Sequence, residues 1–242
     1  MRAAILVDGA FFLKRIRSIC GPLSPSDTAS ILIRGCRSLL FKQHNEEKPK
    51  ELYRILYYDC PPLAKKFHNP ISLKSVDLSK SDIYSFRTEL HKELLNKSHL
   101  AFRRGYLDGN NFQWNIKPQK LKELFDRTIT FNQLTEDDVA LDFRQKGVDM
   151  RIGLDIASLS YKKLVDQIIL ISGDSDFVPA AKLARREGIH FILDAMDAPI
   201  KDDLYEHIDG LMGGIWKKGL LGRPKRKKKG TTRSQAALGP DL

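Results

Sequence analysis

The chain has 242 residues, 42% of them hydrophobic, enough for one sizeable core or two small ones. No apolar run approaches the ~18 residues that cross a bilayer, Arg2 is followed at once by AAILV with no secretory leader pattern, and Cys20, Cys36 and Cys60 lack the CxxC spacing of a zinc site. A soluble, cytoplasmic protein in a reducing compartment is expected, and its net charge of +11 points to an anionic partner.

The first strand is expected at Ala3 to Val7, an apolar run that ends in Asp8 and Gly9. A helix follows over Phe11 to Ile19, with residues 12, 13, 16 and 19 on one face. A second covers Ser26 to Phe41, with Ser26 or Asp27 as its cap. Tyr53 to Tyr58 reads as a strand ending in Asp59, which suits either a functional edge or the turn before Pro61. Ser81 to Leu95 is amphipathic, and Leu100 to Tyr106 is again strand-like.

The tetrapeptide Asp108-Gly109-Asn110-Asn111 suggests a hairpin returning over Phe112 to Ile116. Trp114 and Phe112 there could stack bases, although aromatic residues in strands more often fill cores. A charged stretch runs from Thr135 to Lys146-Gly147. Val148 to Leu164 then carries apolar residues at 148, 152, 156 and 159, a helical face. The last pair of strands is Ile168 to Ile171 and Ile189 to Leu193, with a helix over Asp176 to Arg186 between them. Such alternation implies an α/β fold with a mostly parallel sheet, helices on both faces and an edge hairpin. The domain is expected to span residues 1–216. Beyond it, residues 217–242 hold nine Lys and Arg against one acid, a composition expected to stay disordered. Lys225, Arg226, Lys227, Lys228 and Lys229 form a basic run suited to phosphate contacts by counterion release.

The segment IILISGDSDF at 168–177 takes a buried strand into a turn bearing Asp174 and Asp176. In open parallel sheets ligands bind beyond the carboxyl ends of the strands, which is where these acids fall. Asp176 equally suits a helix N-cap. Asp8 ends the first strand in the same sense, and Asp149 starts the helix that feeds the strand at 168. Asp155 lies six residues further on, between Leu154 and Ile156. Crowded carboxylates repel unless a cation neutralises them. With no His or Cys in the pattern, the cation expected is Mg²⁺ or Mn²⁺, which supports hydrolysis at phosphorus. Ser172 suits either the turn or a phosphate contact, and Lys146 the nucleic-acid backbone.

Three motifs in order, VDG at 7–9, KGVD at 146–149 and SGDSDF at 172–177, resemble the NYN family, a branch of the PIN-like nucleases that includes LabA-like bacterial proteins. The resemblance covers residues 1 to about 210. It implies a three-layer α/β/α PIN-like fold and an acid cluster that binds Mg²⁺ or Mn²⁺ for RNA cleavage. The catalytic acids and metal ligands would be Asp8, Asp149, Asp174 and Asp176, with Asp155 as a companion ligand. Many members carry asparagine three residues after the first aspartate, where this chain has Phe11. The function expected is a metal-dependent ribonuclease acting on RNA, or on DNA, with association into homo-oligomers left open. The competing reading is a nucleic-acid-binding or regulatory adaptor that keeps the acids and cuts nothing.

Overall fold

The computed structural model describes residues 1–41 and 50–217; the expected basic run at 225–229 lies outside them. Strand β1 (Arg2–Asp8) is followed by helices α1 (Gly9–Cys20) and α2 (Pro25–Leu39), then β2 (Glu51–Asp59) and the short strands β3 (Lys66–His68) and β4 (Ser75–Asp77). Next come α3 (Asp82–Leu95), β5 (Leu100–Arg104), β6 (Tyr106–Ile116), α4 (Pro118–Phe125) and β7 (Val139–Lys146). The chain continues through α5 (Val148–Tyr161), β8 (Gln167–Ile171), α6 (Val178–Arg186), β9 (His190–Asp194), α7 (Asp202–Tyr205) and β10 (Gly210–Met212).

Six strands form the central sheet in the order β10-β9-β8-β1-β2-β5, and every pairing in it is parallel. Strands buried on both faces need no alternation, which is why AAILV and IILI read as continuous apolar runs. One face packs against α1, α2 and α3 through Phe12, Ile16, Leu32, Leu39, Leu90 and Leu94. The other face meets α5 and α6 through Val148, Ile152, Ile156, Leu159, Ala181 and Ala184. Two cores on one sheet make the three-layer α/β/α arrangement. The 148-152-156-159 face foreseen for α5 is the face it buries.

Three local expectations are corrected. Helix α2 starts earlier than Ser26: Ser24 is its cap, accepting from the Asp27 N–H, and Pro25 takes the first turn, where a missing N–H costs nothing. No hairpin returns at Asp108 to Asn111. Residues 106–116 are one strand, and the turn-like tetrapeptide is absorbed as an irregularity between Leu107 and Phe112. Its antiparallel partner is β7, inside the charged stretch, so the pair is a separate two-stranded ribbon and not an extension of the central sheet. Asp176 does not cap α6. That helix starts at Val178 with no side-chain cap, and it is Asp174 that accepts the Asp176 N–H, at 3.0 Å.

Candidate metal and phosphate site

The connection after β1 leads to β2 on one side, while the connection after β8 leads to β9 on the other. The strand order therefore reverses between β1 and β8, the topological switch point at which open α/β sheets bind ligands. Register fixes what faces what there: Val7 pairs with Ile171, so Asp8 and Ser172 leave the sheet at the same level.

Asp8 is partly buried, and its side chain caps α1 by accepting the Phe11 N–H at 3.1 Å. Ser172 is fully buried and its hydroxyl donates to Asp8 Oδ2 at 3.4 Å while accepting the Asp174 N–H at 3.3 Å. One hydroxyl thus ties the end of β1 to the turn after β8. Gly173 is required by closeness: a Cβ there would stand 2.8 Å from the Phe11 ring. The Phe11 ring is seated over this turn.

Asp149 stands in the first turn of α5, where the helix dipole favours an anion. Gly147 precedes it at a φ of 78°, a left-handed value that glycine adopts without strain. Burial pushes the Asp8 carboxyl up to about 6, and the Asp149 charge adds to that rise. Asp149 is raised in turn, by burial and then by Asp174 and Asp176. Asp8, Asp149, Asp174 and Asp176 therefore share one field at one sheet edge.

The remaining candidates are engaged elsewhere. Asp155 accepts the Tyr58 hydroxyl at 2.8 Å and pairs with Arg103 at 3.0 Å, which answers its charge without the cluster. Lys146 Nζ lies 2.7 Å from Asp108, a bridge within the β6–β7 ribbon. Asp59 is turned inward, fully buried, and bound by Arg87 at 2.6 Å and His91 at 2.9 Å. Asp194 is likewise buried and accepts the Trp216 indole N–H at 2.6 Å. Lys201, which sequence reasoning passed over, donates to Ser175 Oγ at 3.2 Å and puts an exposed ammonium beside the SGDSDF turn. Only a contact across distant segments reveals it, since Lys201 belongs to no motif.

Among the described residues no three carboxylate, imidazole or thiol groups stand close enough to encircle an ion. The donor chemistry fits a hard cation all the same. Mg²⁺ commonly keeps several waters and takes one or two protein carboxylates, and the rise that Asp149 imposes on Asp8, and Asp174 and Asp176 on Asp149, is what a cation would relieve.

A model of the NYN domain matches residues 67–206, more than half of the chain. The chain belongs to the NYN domain family. The matched region holds Asp149, Asp174 and Asp176, while Asp8 precedes it on the central strand. NYN domains fall in the PIN-like nuclease superfamily, whose members typically use divalent metals. A solved structure of a protein of unknown function from Vibrio parahaemolyticus aligns at 15% identity over 88% of this chain and 91% of that one, with a TM-score of 0.42. No curated protein matches. Among the described residues no helix is long and apolar enough to cross a membrane.

Proposed function

We propose that this NYN protein is a metal-dependent ribonuclease whose working unit is residues 1–216. The observation that carries the reading is the electrostatic coupling of Asp8, Asp149, Asp174 and Asp176 at the switch point of a parallel sheet. A bound Mg²⁺ or Mn²⁺ would supply water activation and charge neutralisation at the phosphate.

Asp8, the only partly buried acid of the four, would be the innermost ligand, with Asp149, Asp174 and Asp176 at the open side. Ser172 acts on Asp8 and on the turn, holding the two carboxylate-bearing segments at a fixed spacing. It is a positioning residue. Lys201 is placed to contact a phosphate oxygen of the strand next to the turn. Asp155, with its own partners Tyr58 and Arg103, contributes to packing under α5 instead of to the metal.

The test is cleavage of labelled single-stranded and structured RNAs with Mg²⁺, with Mn²⁺ and with EDTA. Wild-type protein should cut only with metal, and Asp174→Asn, an exposed and nearly isosteric change, should abolish cutting while leaving the melting temperature within a few degrees. Binding of RNA that is unchanged by EDTA, with no cleavage under any metal, would replace the nuclease by the adaptor.

A further inference from the structure

A cleft with a volume of about 760 Å³ runs beside α1, between that helix, the α1–α2 connection and the first turns of α3. Ala10, in its lining, belongs to the first turn of the helix that Asp8 caps. Its walls are apolar, formed by Leu13, Leu23, Ile83 and Phe86, and its rim carries Lys14 and Arg17. Both cations are exposed on α1. A volume of this size with a few polar groups on an apolar surface is that of a small-ligand site.

The cleft is rigidly built on its far side. Arg87 lines it and is clamped at 2.6 Å to the buried Asp59 at the end of β2, where His91 from the next turn of α3 also bonds. That network fixes α3 against the sheet and spends the Arg87 charge inside the protein. Lys14 and Arg17 are left to face a ligand, with Asp82 the one acid in the lining. A flat apolar body with an attached anion meets these requirements, and a simple hydrocarbon or a peptide of no charge does not.

We infer that the cleft between α1 and α3 binds a nucleotide, its base against Phe86 and Ile83 and its phosphate at Lys14 and Arg17. This deepens the nuclease reading and rests on it for the position of the strand, although nucleotide binding itself requires neither metal nor cleavage. The same base-and-phosphate chemistry is presented by a free mononucleotide and by one nucleotide of an RNA strand whose neighbouring phosphate lies at Asp8. Stacking on an aromatic ring tolerates any base, so the site should select little by sequence.

The experiment uses the full chain in EDTA, with uridine monophosphate and a short oligouridylate carrying 5-iodouridine as probes. Affinity is read by calorimetry and position by photo-crosslinking and peptide mapping. Crosslinks should fall on α1 and α3 peptides, and Ile83→Asp, which puts a carboxylate against the base, or Lys14→Glu, which reverses the charge at the phosphate, should weaken oligonucleotide binding by about tenfold. Ile83 is 69% exposed, so its replacement leaves the fold in place. Binding of both probes in the cleft, or of the oligonucleotide alone, supports the site and distinguishes a free nucleotide from a strand as its source. Crosslinks elsewhere, or variants that bind as wild type, overturn it. Asp174→Asn, run in parallel, should still bind, so loss of cleavage and loss of the cleft are separate results.

Discussion

Burial holds the Asp8 carboxyl near 6 although two backbone N–H groups and the Ser172 hydroxyl pull it down. A carboxyl raised on folding keeps in the folded state a proton that the unfolded chain has already released. Its contribution to stability therefore falls as pH rises from 3.8 through about 6, and the full penalty applies at neutral pH. Asp8→Asn removes that penalty and can still accept the Phe11 N–H as a cap. Without metal the variant should be more stable than wild type at neutral pH by about 1 kcal/mol once solvent screening is allowed for. The gain should vanish near pH 4, as denaturant melts at the two pH values will show. Added Mn²⁺ should raise the melting temperature of wild type and not of Asp8→Asn; equal shifts would remove Asp8 from the metal. At Gly173 the quantity is space. Gly173→Ala has to displace the Phe11 ring from 2.8 Å, at a cost of about 1–3 kcal/mol. Adding Phe11→Ala should return part of that loss, so that the double mutant is less unstable than the sum of the singles.

At the scale of elements, the β6–β7 ribbon is held by aromatic edges. Phe67 of β3 meets Phe112 at 4.7 Å and Phe143 at 5.4 Å, edge-on at interplanar angles of 67° and 60°. Phe67→Ala should speed hydrogen exchange in 106–116 and 139–146 and leave β1 and β8 protected; uniform loss of protection would mean that the ribbon and the sheet unfold together. Strands β1 and β8 were legible because burial on both faces writes an unbroken apolar run, and α5 because its stripe is regular, whereas the three-residue edge strand β10 was too short to show. Strand β7, reading VALDFRQK, was not. Its support comes from a strand some thirty residues earlier, and charges are acceptable on a ribbon that faces water. The tetrapeptide at 108–111 carries a strong turn signal that tertiary pairing overrides. At the site, Asp8 was legible as a strand end, Asp174 and Asp176 as a turn after a strand and Asp149 as a helix start, whereas the Ser172 bridge and the Lys201 contact were not, because each joins segments whose spacing in sequence bears no relation to their distance in space.

For the molecule as a whole, charge is divided between a nearly balanced body and the segment from Lys217 onward, with nine basic residues against one acid. Trp216 fastens the start of that segment: its ring packs edge-on against Phe12 and its indole bonds Asp194 at the carboxyl end of β9. Trp216 is thus anchored at the end of the sheet that carries Asp8. Deleting residues 218–242 should flatten the dependence of RNA affinity on salt, lowering the log–log slope by about 3.5 if five of the bases contact phosphates of a single strand. An unchanged slope would assign the basic segment to another partner.

The hydrogen bond from Ser172 to Asp8 joins residues 164 positions apart. Strand β1 is made first during synthesis, yet it lies between β2 and β8, and β8 is among the last elements to emerge. Until residue 172 has left the ribosome, Asp8 has no turn to face and the acids cannot assemble. A chain stalled before that point keeps Asp8 and Asp149 but lacks the hydroxyl that ties Asp8 to the turn of Asp174 and Asp176, and a cut that frees β1 from β8 undoes the same tie.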